Sequence, residues 1–195
     1  YAVSDGDDPR YPRGALIRYR EWYGSTGEPN KGLRMTADEV ALGIKAREEG
    51  DRITYSVIDP AAYAENGGPS IAERMSVHGV HFGTADNKRV GTLGAMGGWD
   101  QVRARLKGDD DGRPMVYIFA TGVHLIRTLP ALQHDDKRPE DVDSDGEDHA
   151  PDEFRYALMS RPYVKDAPEK PGPRWPQQQT INELIERNAR RLRGE

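Results

Sequence analysis

The sequence predicts an α/β domain in which a central mixed sheet is flanked on both faces by helices, followed by a tail that carries one more helix. Three observations predict it. The run Ile53-Thr54-Tyr55-Ser56-Val57-Ile58 is apolar enough for a buried strand and closes on Asp59. Thr36-Ala37-Asp38-Glu39 is a capping box, with threonine at the N-cap and glutamate three residues on, so a helix starts there. Strand-like and helix-like segments then alternate, which puts helices on both faces of a mostly parallel or mixed sheet.

Each element has its own justification. Tyr1-Ala2-Val3 is the end of a strand running into the turn Ser4-Asp5-Gly6-Asp7-Asp8, and Ala15 to Trp22 is the next strand. The helix capped at Thr36 continues through Val40, Ile44 and Ala46 to Gly50, before the strand that closes on Asp59. Ser70 to His78 fits a short helix, Val80-His81-Phe82 a short strand, and Trp99 to Lys107 a helix with Val102 and Leu106 inward. Met115 to Ala120 is a strand bounded by Asp109-Asp110-Asp111-Gly112 and Gly122, and Val123 to Leu132 a short helix broken near Pro130. A further helix opens at Glu147-Asp148-His149-Ala150-Pro151-Asp152. With Pro151 in the first turn, Asp152 lies near the N-terminus and Phe154, Ala157 and Leu158 face inward. Beyond Ser160, Pro162, Pro168, Pro171, Pro173 and Pro176 mark an extended linker, and Thr180-Ile181-Asn182-Glu183 caps a last helix with Ile181, Leu184, Ile185 and Leu192 on one face. The expected division is therefore a domain over 1–160 and, over 161–195, a proline-rich linker with a basic amphipathic helix.

Composition narrows the function. At 195 residues and 35% hydrophobic content the chain can bury one sizeable core. No run approaches the roughly 18 apolar residues of a membrane span, and Tyr1-Ala2-Val3-Ser4-Asp5 lacks the features of a secretory leader, so no membrane partner is expected. With no cysteine, a bound metal must sit on carboxylate and imidazole. The net charge of −5 argues against a broadly basic nucleic-acid surface, but it hides an asymmetry. Acids crowd Asp135 to Asp148, while Arg187, Arg190, Arg191 and Arg193 crowd the C-terminus.

The candidate chemistry lies in two acids far apart in sequence. Asp59 at a strand end is read equally well as a turn residue, yet the carboxyl edge of a parallel strand is also where open α/β sheets bind ligands. Asp152 suits the helix dipole, which leaves His149 beside it unexplained. An acid at a strand end with an acid at a helix start is the arrangement of a divalent-metal nuclease. The other motifs have simpler accounts. Asp141 to Asp148 reads as a solvated loop and lacks EF-hand spacing. His78 and His81 read as packed or solvent-facing. Gly91, Gly94, Gly97 and Gly98 form no phosphate-binding fingerprint. Lys88, Arg89, Arg103, Arg105 and Lys107 read as solvated surface.

With these residues placed, residues 1 to 160 resemble the C-terminal nuclease domain of the large terminase subunit of tailed double-stranded DNA bacteriophages. The likeness rests on the order of Ala15 to Tyr23, Asp59-Pro60, Ser70-Ile71-Ala72-Glu73, Ala85-Asp86-Asn87-Lys88-Arg89 and Leu129-Pro130. Its most specific piece is Asp148-His149-x-x-Asp152-x-x-Arg155-Tyr156. The resemblance implies an RNase H-like fold and a metal-dependent endodeoxyribonuclease that cuts concatemeric double-stranded DNA by two-metal hydrolysis with Mg²⁺ or Mn²⁺. By position, Asp59 matches the family's second acid, Asp152 its last and His149 a histidine beside it, with Asp148 or Glu147 assisting at the metal. The first family acid lies upstream of the strand matching Tyr1-Ala2-Val3, and Asp5, Asp7 and Asp8 are poor substitutes, so weak metal binding and little cleavage are expected. The implied partners are double-stranded DNA, the terminase ATPase domain, the small terminase subunit and the portal protein, in the cytoplasm of the infected bacterial host. The alternative is a non-catalytic module on the same scaffold that docks to portal, motor subunit or DNA.

Overall fold

Three short strands carry the larger part of the chain in the computed structural model. Residues 1–28, 31–92, 95–144, 146–163 and the helix over 181–193 are described. β1 (Ala2–Val3) runs antiparallel to β2 (Leu16–Arg18), pairing Ala2 with Ile17, and β2 runs parallel to β5 (Val116–Ile118), pairing Leu16 with Val116. β3 (Val57–Ile58) and β4 (Gly83–Thr84) form a separate parallel pair. Between and after the strands come α1 (Ala37–Arg47), α2 (Ile71–Val77), α3 (Gly98–Lys107), α4 (Val123–Thr128) and α5 (His149–Ser160), with 3₁₀ turns at Pro60–Tyr63 and Leu129–Ala131. The fold is mixed α/β. No helix among the described residues is long and apolar enough to cross a membrane.

The capping boxes at Thr36 and Ser70 form as their spacing requires. Each hydroxyl accepts the backbone N–H three residues on, and Glu39 and Glu73 return to the cap N–H. The strands depart from expectation. Among the described residues there are two small sheets instead of one central sheet, because each strand extends only as far as its neighbour can pair. Ile53 and Tyr55 are exposed with no strand beside them, so the run that closes on Asp59 is a strand only at Val57–Ile58. The strand expected at Val80 to Phe82 shifts to Gly83–Thr84. The Val80 N–H is committed to the Met75 carbonyl at the end of α2, and the Phe82 carbonyl accepts the Tyr63 hydroxyl.

The main core joins Leu16 and Val116 of the sheet to Trp99 and Val102 of α3, Leu125 of α4, Val142, and Ala150, Phe154 and Leu158 of α5. A second cluster, Ala41, Met75 and Val80, packs α1 on α2 with Ile44, Ile58 and Phe82 at its margin. Burying each large apolar side chain contributes about 1.5–3 kcal/mol. Two inward assignments need correction. Leu106 is 47% exposed because the buried stripe of α3 runs through Gly98, Gln101, Val102 and Arg105, so the arginine takes the place expected for the leucine. Ala157 is half-buried, the stripe of α5 being Ala150, Pro151, Phe154, Arg155 and Leu158.

The chain divides into two compact units, Tyr1–Tyr163 and Val164–Glu195. In the second, α6 (Ile181–Arg193) carries Arg190, Arg191 and Arg193 in its last turn and an exposed Leu192. The prolines at 168, 171, 173 and 176, the cap at Thr180, and the side chains of Ile181, Leu184, Ile185 and Arg187 lie outside the described residues, as do Asp145 and Gly94.

Candidate functional site

The site forms where α5 packs against β3. Asp59 follows β3 directly and caps the 3₁₀ turn that Pro60 opens, its Oδ1 accepting the Ala61 N–H at 2.7 Å. Its Oδ2 accepts the hydroxyl of Tyr156 on α5. Asp152 stands in the first turn of α5, where its Oδ1 accepts Nε of Arg155 at 3.1 Å. Consecutive residues of one helix thus hold the two acids, Arg155 at i+3 from Asp152 and Tyr156 at i+4, both within reach of the first turn.

Arg155 has almost no freedom to do otherwise. Its side chain is 1% exposed and its Nη1 donates to the carbonyls of Asn87 at 2.9 Å and Lys88 at 3.1 Å, just past β4. Its stem passes over Gly98, where an added Cβ would fall 2.5 Å from Arg155 Cγ. Glycine is required there by close approach.

Burial, the hydrogen bond to Asp59, and then the charges of Asp152 and Asp59 push the Tyr156 hydroxyl up to about 12. Asp148, the N-cap of α5, is buried, and burial followed by the charge of Asp152 raises its carboxyl above the ordinary range. Arg89 and His149 oppose that rise.

His149 departs from its expected company. Its imidazole is 65% exposed, with Nδ1 3.7 Å from Asp148 Oδ1, and no hydrogen bond or ion pair among the described residues joins it to Asp59 or Asp152. It lines a cavity of about 250 Å³ with Tyr23, Gly24, Ser25, Lys31 and Gly32. Glu147 is also diverted: Arg127 grips both its oxygens at 2.8 and 2.5 Å, and Tyr23 donates to it at 3.3 Å. The Arg127 hydrogen bond is the main cause holding the Glu147 carboxyl below its ordinary range. Asp5 and Asp8 are engaged in their own turn, with the Asp7 N–H and Arg10 respectively.

Two buried groups, Asp141 and Arg105, escaped the sequence reading. Asp141, expected in a solvated loop, is 2% exposed and accepts from Arg89 at 2.8 Å, Trp99 Nε1 at 3.2 Å and the Val142 N–H at 2.8 Å. Its nearest signal was Val142, an apolar residue in an otherwise acidic run. Arg105, read as solvated surface, is 2% exposed, and Arg89, read the same way, is only partly buried. Arg105 donates to the carbonyls of Met115 at 2.8 Å and Arg161 at 2.6 Å, tying α3 to β5 and to the end of α5. Its signal was the i, i+3, i+4 stripe through Gly98, Gln101 and Val102. Of the two histidines set aside, His78 bonds Asp38 at 2.9 Å between α1 and α2, and His81 is exposed.

Among the described residues, no three His, Asp or Glu side chains group closely enough to hold a metal ion. What the fold brings to adjoining elements is Asp59, bonded to the Tyr156 hydroxyl, and Asp152, bonded to Arg155 on the same helix, with Asp148 at that helix's N-cap. The chain matches no known protein family, no curated protein and no solved structure.

Proposed function

We propose that the chain is an RNase H-like nuclease domain of a phage DNA-packaging terminase, a metal-dependent endonuclease acting on double-stranded DNA. The observation that carries this reading is the packing of α5 on β3, which bonds Asp59 at the end of β3 to the hydroxyl of Tyr156, four residues after Asp152 on α5. A structural role for either acid alone explains its position but not their placement on adjoining elements. The donor set fits Mg²⁺ or Mn²⁺. Such ions take hard oxygen ligands, and Mg²⁺ commonly sits on one or two carboxylates, filling its remaining positions with water and substrate phosphate. Asp59 and Asp152 would hold the metal, and Asp148 would complete the acidic edge. When bound, divalent ions supply charge against the negative charge that develops on the phosphate and leaving oxygen.

The chain's own residues do the rest. Arg155 and Tyr156 fix the two carboxylates, and β3 and β4 end together beside them, at the edge where a parallel pair receives ligands. His149 lies in the same first turn as Asp152 but lines the cavity beside Tyr23, so no role at the two acids is given to it. The partners proposed are double-stranded DNA, the terminase ATPase domain, the small terminase subunit and portal, in the cytoplasm of an infected bacterium. The second reading is a non-catalytic module on the same scaffold that docks to portal, motor subunit or DNA.

The test is cleavage of supercoiled plasmid with Mn²⁺ or Mg²⁺ by this chain and by its Asp152→Ala variant. The expected result is metal-dependent nicking that Asp152→Ala abolishes. No nicking by the parent chain rejects the nuclease and leaves the docking module.

A further inference from the structure

We infer that Asn66 is a site of covalent self-modification, at which the backbone nitrogen of Gly67 attacks the Asn66 side-chain amide and converts the asparagine to a mixture of aspartate and isoaspartate. Asparagine is among the chemically labile side chains. Five occur in the chain, at 30, 66, 87, 182 and 188, and Asn66 is the one that a glycine follows.

Asn66 and Gly67 lie in the exposed stretch Ala64 to Pro69, between the 3₁₀ turn that Asp59 caps and α2. Among the described residues the Gly67 N–H donates to no acceptor and the Asn66 side chain bonds to no partner. A Cβ built at Gly67 or Gly68 would meet nothing within 4 Å, so the space around the pair is open. Gly67, at φ +77°, carries no side chain to block its nitrogen and has the backbone freedom to swing toward Asn66 Cγ. In the reaction the Gly67 nitrogen gives its proton to solvent base and bonds to Asn66 Cγ. The Cγ–Nδ2 bond breaks, ammonia leaves, and a cyclic imide closes. Water then opens the ring at one carbonyl or the other, giving aspartate or, with an extra methylene in the main chain, isoaspartate. Asn87 shows what withholds this chemistry. It is exposed as well, but its carbonyl accepts Arg155 Nη1 at 2.9 Å, and the following Lys88 N–H is spent on Asp86 Oδ1 at 3.0 Å. Exposure is common to both asparagines, and an unengaged amide followed by open space belongs to Asn66. The product adds one negative charge to a chain already at −5. The anchors on either side, the Ala64 N–H on the Ala61 carbonyl and the capping box at Ser70, do not use the converted residue.

The experiment is incubation of the full chain in mildly alkaline buffer, folded and in guanidinium chloride, followed by tryptic digestion and mass spectrometry. Trypsin places Asn66 in the peptide 53–74 and Asn87 in the peptide 75–88, with a single asparagine in each. The expected result is that 53–74 gains one dalton at the same rate folded and unfolded, while 75–88 from the folded chain keeps its mass. The converted 53–74 is expected to accept methyl groups from a protein isoaspartyl methyltransferase, which reports the isoaspartate. Asn66→Gln, whose longer side chain closes the ring far less readily, is expected to leave 53–74 unmodified. A peptide 53–74 that keeps its mass in the folded chain overturns the site, whether or not it converts in guanidinium chloride. Equal conversion of 75–88 in the folded chain overturns the argument from the unengaged Gly67 amide.

Discussion

Asp141 and the pair Asp59 and Asp152 are acids set into the same domain in opposite ways. Asp141 is sealed, with two arginines, an indole N–H and a backbone N–H spending its oxygens on the loop that leads to α5. Asp152 has one side-chain donor, and Asp59 has a cap and a phenol, and both remain partly exposed. A buried carboxylate saturated by donors stabilises structure, and removing it strands its partners. A partly exposed carboxylate held by one or two donors keeps lone pairs for something else. The difference separates a structural acid from a site acid more sharply than sequence position does.

The strongest way to break that contrast is Asp141→Ala. It leaves Arg89, Trp99 Nε1 and the Val142 N–H without their shared acceptor, and the expected loss is about 3 kcal/mol or more in urea unfolding. A loss no larger than that of Asp59→Ala would erase the distinction. Gly98→Ala comes next, since its methyl group would collide with Arg155 Cγ and lie 2.9 Å from the Lys88 carbonyl. A loss of about 1–3 kcal/mol is expected, together with weaker Mn²⁺ binding, because the stem that aims Arg155 must shift.

Asp148→Asn is expected to have the smallest effect, and its sign is informative. Burial, then the charge of Asp152, raises the Asp148 carboxyl in the folded chain. Between the unfolded and folded values the folded chain binds more protons, so stability falls as pH rises through that window. Asp148→Asn removes this penalty and is expected to stabilise the protein slightly at pH 7, the gain fading below the ordinary aspartate range. Urea midpoints measured against pH would show it, and a destabilised variant at pH 7 would contradict the desolvation argument.

Short-range features were the legible ones. The capping boxes at Thr36 and Ser70 need only four consecutive residues, and the strand end at Asp59 and the helix start before Asp152 are local too. What could not be read was decided by distant partners. Arg89 and Asp141 are 52 positions apart, so the burial of Asp141 cannot be read until the chain closes on itself. The strand at Val57–Ile58 is short because its neighbour among the described residues, Gly83–Thr84, is short, which periodicity in the run from Ile53 cannot reveal. Arg105 displaced Leu106 because its guanidinium finds carbonyls on two other elements. In the site, Asp59 and Asp152 were legible as candidates, while the bond from Tyr156 to Asp59 depends on how α5 lies on β3. His149 was legible as a neighbour of Asp152, but its side chain turns to the cavity beside Tyr23.

The most direct test of the claim that Asp59 and Asp152 act as one cation-binding pair is a double-mutant cycle in Mn²⁺ affinity with Asp59→Asn, Asp152→Asn and the double variant. If the acids share an ion, each single variant loses nearly all binding and the double loses no more, a strongly non-additive cycle. Additive losses, or singles that bind as the parent does, would contradict the pair.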